Sequence, residues 1–104
     1  MKVLYQSKEV HMLYIIYAES AQYAGYGQHF IVKANSIAQA EELVEDSANE
    51  YFYELYMDEL EEDGLTEEGT FYSICSVEEF TEQHECWKYY KDPSQSVFYT
   101  EANF

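Results

Sequence analysis

Two stretches near the start of the chain distribute apolar residues as β-strands do. His11–Glu19 (HMLYIIYAE) is rich in β-branched and aromatic residues, which favour a central strand. Gln28–Ala34 (QHFIVKA) alternates Phe30 and Val32 with residues of the opposite face, the period-two pattern of a strand. The segment Ser20–Gly27 between them is rich in turn residues. The pattern therefore predicts a β-hairpin with a long tip.

The next segment has the apolar spacing of an amphipathic helix. Ser36 and Gln39 form the capping box S-x-x-Q, and Asp63-Gly64 supplies a glycine for the left-handed position after the last turn. A single helix ending at about Glu62 would be about 39 Å long at 1.5 Å per residue. Its apolar stripe consists of Ile37, Ala40, Val44, Ala48, Tyr51 and Leu55, with Leu43 and Phe52 beside it.

The remaining elements are shorter. Thr70–Cys75 predicts a strand, Val77–His84 a short helix opened by the capping box of Ser76 and Glu79, and Val97–Thr100 an edge strand. Further strand candidates are Met1–Gln6 and Cys86–Lys91, and the predicted core is Tyr14, Ile16, Phe30, Val32, Tyr51, Leu55, Phe71, Ile74, Phe80 and Trp87.

This order of elements predicts the fold class. We expect residues 1–104 to form a single acidic α+β domain, since 104 residues allow one domain and not two. Its sheet would be mainly antiparallel with 4–5 strands, and one long acidic helix and one short helix would cover one face.

The charge of the chain indicates which partners it can bind. The chain has 21 Asp and Glu against 5 Lys and no Arg, a net charge of −16. Glu41–Glu85 holds 17 acids and no lysine, whereas the rest of the chain is nearly neutral. Such a charge repels nucleic acid and anionic lipid, so we expect no direct nucleic-acid or membrane partner.

No apolar run is long enough for a membrane span and no signal-peptide pattern is present, so we expect a cytoplasmic protein.

The acids of the long helix follow a regular row. Like charges four residues apart destabilise a helix by about 0.2–0.5 kcal/mol per pair, so helix stability does not explain the row. Ten acids over the helix give about one charge per 3.3 Å, close to the spacing of about 3.4 Å between phosphates along one DNA strand. The row is Glu42, Asp46, Glu50, Glu54, Asp58 and Glu62, flanked by Glu41, Glu45, Glu59 and Glu61.

Tyrosine is the second unusual feature, with 12 copies in the chain. Tyr53 and Tyr56 fall outside the apolar stripe of the helix and lie among its acids. Tyrosine is enriched at protein interfaces because its rigid amphipathic ring supplies contact area at low entropic cost. These residues therefore indicate a protein-binding surface.

Other chemistry has little support. His11, His29 and His84 belong to separate elements, and no serine lies in a nucleophile motif, so we expect no enzyme and no catalytic residues. Asp58–Thr70 resembles a calcium loop but has Thr70 where a bidentate glutamate is required. A zinc site at Cys75, His84 and Cys86 lacks a fourth ligand, so no metal or cofactor is predicted. A small acidic enzyme or a calcium binder is kept as a third class of function.

The lysine-free acidic segment Glu41–Glu85 resembles the small acidic DNA-mimic inhibitors of bacteriophages, of the anti-CRISPR and anti-restriction type, in charge pattern and not in motif. The resemblance implies an inhibitor acting in the host bacterial cytoplasm, foremost an anti-CRISPR protein. Its carboxylates would occupy the basic DNA or RNA groove of a CRISPR effector or a restriction or repair enzyme. The partner-binding residues would be Glu42, Asp46, Glu50, Tyr53, Glu54, Tyr56, Asp58 and Glu62.

The alternative is a non-enzymatic interaction or regulatory protein. Its exposed tyrosines would form the interface, with a homodimer as one form, and its acidity would serve solubility. Binding that hardly depends on salt would favour this alternative.

Overall fold

The computed structural model describes residues 12–84 and 97–100. It contains an antiparallel sheet and two helices, which confirms the α+β class. The elements are β1 (Met12–Ser20), β2 (Gly27–Ala34), α1 (Ile37–Leu55), α2 (Met57–Glu62), β3 (Tyr72–Glu79) and β4 (Val97–Thr100), and the strand order is β3-β1-β2-β4. The strand candidates Met1–Gln6 and Cys86–Lys91 lie outside the described residues.

The predicted hairpin is present. β1 and β2 pair antiparallel from Met12 opposite Ala34 to Glu19 opposite Gly27. β3 pairs with the other edge of β1, with a register shift between Tyr17 and Ala18. The four-residue strand β4 pairs with the outer edge of β2. The hairpin is therefore the centre of the sheet.

The core lies between the sheet and α1. Alternate residues of β1 and β2 face the helix, and the helix side of the contact consists largely of alanine and valine, which allow the two layers to approach closely. Full burial of a side chain such as Phe30 or Phe52 contributes about 1.5–3 kcal/mol. The residues of these three elements that are buried in this layer are Tyr14, Ile16, Ala18, Phe30, Val32, Ala34, Ala40, Val44, Ala48 and Phe52.

The single long helix was a wrong prediction. The helix is interrupted at Tyr56, which has φ −115° and ψ 25°, and α2 begins at the next residue. Leu55, expected in the core, is 44% exposed, because the buried position of this region belongs to Leu60 of α2. An apolar stripe does not reveal such a break, since Leu60 continues the apolar spacing into the second helix.

The predicted short helix Val77–His84 is also wrong, since β3 continues to Glu79. The backbone of this segment pairs with β1, and the Phe80 N–H donates to the Leu13 carbonyl at 2.8 Å just beyond it. Pairing along the whole strand outweighs the local preference of the capping box at Ser76. The only short helix among the described residues is α2.

The two signals predicted for the ends of the long helical segment are confirmed. Ser36 Oγ accepts from the Gln39 N–H at 3.1 Å, while Gln39 Oε1 accepts from the Asn35 N–H. Gly64 has φ +72° after α2, a conformation that favours glycine. The Leu65 N–H donates to the Leu60 carbonyl across this turn, and both side chains join the core, as in a Schellman motif.

The rest of the predicted core is partly confirmed. Phe71 and Phe80 are buried, whereas Tyr51 and Ile74 are only partly buried. Trp87 lies outside the described residues. In the part of the chain that is described, no helix is both long and apolar enough to cross a membrane.

Candidate functional site

The acidic row lies on the solvent side of the two helices. Residues four apart advance by about 40° around a helix, so the row crosses the exposed side of α1 obliquely. The break at Tyr56 divides it into four acids on α1 and two on α2. All six side chains are exposed: Glu42, Asp46, Glu50 and Glu54 on α1, and Asp58 and Glu62 on α2.

No cation compensates this surface within the described residues. The flanking acids Glu41, Glu45, Glu59 and Glu61 are exposed as well. The one contact between a basic side chain and a carboxylate in the described part of the chain joins His84 Nε2 and Glu78 Oε1 at 3.6 Å, and neither residue belongs to a helix. The ten carboxylates therefore form a continuous negative surface, which we call the acidic ridge.

Tyr72 of β3 reports the potential beside the acidic ridge. Its pKa is raised above the ordinary value, first by burial of the phenol and then by the negative charges of Glu45, Glu41 and Asp46. These carboxylates thus act together on a neighbouring group. A cationic side chain placed at the same flank would be attracted by the same charges.

Tyr53 and Tyr56 lie beside the acidic ridge, but their rings are partly used in packing. The Tyr53 ring contacts Phe71 edge to face, with centroids 5.0 Å apart, and the Tyr56 ring contacts Tyr23 at 5.1 Å. Both side chains are half-buried. Although both residues lie outside the apolar stripe, the loops that precede β2 and β3 cover their rings. The helical pattern alone does not predict this cover.

Asn49 is a structural residue that sequence reasoning missed. Its Nδ2 donates to the Gly69 carbonyl at 3.0 Å, and its Oδ1 accepts from the Phe71 N–H at 2.8 Å. These two bonds hold the segment before β3 against the flank of α1 and bring Phe71 under Tyr53. An asparagine in the middle of a helix, where it is a poor helix former, was the available signal.

The hairpin tip contacts the chain just after α2, where the acidic ridge ends. Tyr23 Oη donates to Asp63 Oδ2 at 2.6 Å, just after α2. This hydrogen bond, followed by partial desolvation and the charges of Asp63, Glu59 and Glu62, raises the pKa of Tyr23 to about 12. The Tyr23 ring also contacts Tyr56, so one side chain fixes the junction between the two helices.

Gly25 allows the same approach. It has φ +145°, and a Cβ built there would lie 3.2 Å from the Tyr56 hydroxyl oxygen. A side chain would be strained at this φ and crowded against the ring. The loop tip and the helix break are thus fitted to one another.

The opposite face of the sheet carries Tyr17, Glu19, His29 and Cys75 close together. The rings of Tyr17 and His29 have centroids 4.8 Å apart. Desolvation and the nearby Glu19 carboxylate raise the pKa of the Cys75 thiol, which keeps it protonated and poorly nucleophilic. No cluster of three or more metal-ligating side chains occurs among the described residues.

Comparison of the chain with protein-family models, curated proteins and solved structures finds no match. Geometry and charge are therefore the grounds for a functional proposal.

Proposed function

We propose that this chain inhibits a nucleic-acid-binding bacterial defence protein, foremost a CRISPR effector, by filling its basic groove. The acidic ridge would take the place of the phosphate backbone. The observation that carries the proposal is that ten exposed carboxylates on α1 and α2 have no cationic partner among the described residues.

The cost of this surface supports a role beyond folding. Each like-charge pair four residues apart destabilises the helix by about 0.2–0.5 kcal/mol, whereas lysines at alternate positions of the row would stabilise it by a similar amount. Solubility alone requires net charge but not a lysine-free surface along one element. A basic groove would gain from the same density of charge, because its attraction steers association and suppresses partners of the wrong sign.

The fold supports the proposal through rigidity. Asn49 ties one flank of α1 to the loop before β3, and Tyr23 ties the end of α2 to the hairpin tip. Carboxylates held on fixed helices keep their spacing in the free chain, so less conformational entropy is lost on binding. The break at Tyr56 divides the row into two segments. A row divided in this way fits a groove for curved nucleic acid better than a straight row would.

Displacement of labelled duplex DNA from a panel of purified CRISPR effectors and restriction and repair enzymes tests the proposal. Fluorescence anisotropy would report the displacement. We expect the chain to release DNA from at least one panel member, with an affinity that falls steeply with added salt. The triple variant Glu50→Lys, Glu54→Lys, Asp58→Lys should lose this effect.

A matched control separates position from total charge. Glu67→Lys, Glu68→Lys, Glu82→Lys alters three exposed acids outside the two helices and gives the same net charge. It should inhibit nearly as well as the unaltered chain. Equal loss in the two triple variants, or failure to release DNA from any panel member, would contradict the proposal.

A further inference from the structure

β3 is an open edge of the sheet among residues 12–84 and 97–100. Within the described residues it pairs with β1 on one side and forms the end of the strand order. Most of its side chains are exposed in the folded chain, namely Ser73, Cys75, Ser76, Glu78 and Glu79. An edge strand of eight residues, about 26 Å long, presents a row of backbone groups that another strand can pair with.

The pairing with β1 shows which backbone groups point outward. Phe80 donates to Leu13, and Ala21 donates to Phe71, so these positions lie in hydrogen-bonded register with β1. Antiparallel pairs alternate between bonded and non-bonded register. Residues in the non-bonded register direct their N–H and C=O groups away from β1. Counted from Phe71 and from Phe80 up to the register shift, these residues are Tyr72, Ile74, Val77 and Glu79.

The charge around this edge is negative at both ends. Tyr72, at the start of β3, lies in the field of Glu45, Glu41 and Asp46. Glu78 and Glu79 end the strand, and both are exposed, with Glu78 within 3.6 Å of His84. This distribution selects the occupant. A second copy pairing antiparallel about a two-fold axis would bring acids of the two edges together, on chains of net charge −16 each.

We propose that the β3 edge binds an extended, lysine- or arginine-rich segment of the partner protein as an added strand. Main-chain hydrogen bonds to the outward groups of Tyr72, Ile74, Val77 and Glu79 would supply affinity, and the acids at both ends would select a basic segment. The basic character of the partner rests on the proposed function; the open edge does not. The register shift against β1 divides the added ladder into one run at each end of β3.

Amide hydrogen exchange of the full chain, followed by NMR, tests this inference with a defined probe. The probe is a ten-residue synthetic peptide of alternating lysine and valine. In the free chain the four outward amides should exchange faster than the inward amides of Ser73, Ser76 and Glu78. Saturating peptide should slow the outward amides about tenfold and change the inward ones little.

Two control peptides distinguish strand addition from simple attraction. A peptide of the same sequence with N-methyl groups along one backbone edge has the same charge but cannot complete the ladder, and it should give little protection. An alternating glutamate and valine peptide should give none. Equal protection by the methylated peptide, no protection by the lysine peptide, or protection that grows with the concentration of the chain alone would overturn the inference.

A variant keeps this test separate from the groove proposal. The triple variant Glu50→Lys, Glu54→Lys, Asp58→Lys alters the acidic ridge but none of the acids that flank β3. It should still show slowed outward amides with the lysine peptide. Loss of DNA displacement without loss of this protection would separate the two surfaces, and protection that disappears in this variant would contradict a binding site at the β3 edge.

Discussion

Tyr23 connects two parts of the molecule that are forty residues apart. Its hydroxyl reaches Asp63 beyond α2, and its ring reaches Tyr56 at the break between the helices. Asn49 has the same role at the middle of α1, where its amide group bonds both Gly69 and Phe71. Single polar side chains thus fix the positions of the loops around the acidic ridge, while the apolar core fixes the layers.

The Tyr23 hydrogen bond predicts a dependence of stability on alkaline pH. The pKa of Tyr23 is about 12 in the folded chain and about 10 when unfolded, so the folded state retains a proton that the unfolded state has lost. This contribution is fully present below about pH 10 and is lost as the pH rises toward 12. Urea denaturation between those pH values should therefore show a steeper fall in the free energy of unfolding for the wild type than for Tyr23→Phe. Parallel curves would contradict the assignment.

At the scale of elements, local signals were reliable where tertiary pairing agreed with them. The hairpin, the Ser36 cap and the Gly64 stop all follow from short-range chemistry and are confirmed. The capping box at Ser76 is equally good locally, but its segment pairs with β1, more than fifty residues earlier. No local pattern contains that partner, so the local signal predicts a helix where the structure has a strand.

The helix break was unpredictable for a related reason. Its cause lies in the contacts of Tyr56 with the hairpin tip and of Leu60 with the core, both distant in sequence. Exposure of the acids could be predicted, because carboxylates rarely leave water without a partner. The half-burial of Tyr53 and Tyr56 could not, since it depends on which loops cover the helix.

The role of α2 as a packed element gives a prediction. Leu60 is 1% exposed, and Leu60→Ala should lower the free energy of unfolding by about 2–5 kcal/mol through lost burial and a cavity. Met57→Ala, in the same helix at a position 41% exposed, should cost well under half as much. Chemical denaturation of the two variants measures both values. Equal effects would show that α2 does not anchor to the core through Leu60.

By charge, the whole molecule consists of a lysine-free acidic segment, Glu41–Glu85, and a nearly neutral remainder. Its charges repel one another in the folded state, where α1 holds four of the row acids at fixed spacing. Folding therefore proceeds against self-repulsion, and the apolar core must offset it. A partner or a screening salt would relieve the same repulsion.

We expect added salt to stabilise the chain. Raising sodium chloride should increase the free energy of unfolding, because mobile ions screen the exposed acids. The variant Glu42→Gln, Asp46→Asn, Glu50→Gln, Glu54→Gln removes the three like-charge pairs of the row that are four residues apart within α1. At low salt it should be more stable by about 0.6–1.5 kcal/mol, at about 0.2–0.5 kcal/mol per pair. Thermal denaturation across a salt series measures both effects; a variant of equal or lower stability would contradict the repulsion.

The pairing of β3 with β1 has a consequence for the order of folding. The hairpin and α1 form from neighbouring residues, whereas β3 must close a long loop before it gains any contact, and such closure is slow. Until then, the edge of β1 that Leu13, Ile15 and Tyr17 present to β3 is without its second strand. A nascent chain in this state exposes an apolar edge that can pair with other copies, and the mutual repulsion of highly acidic chains is what opposes that aggregation.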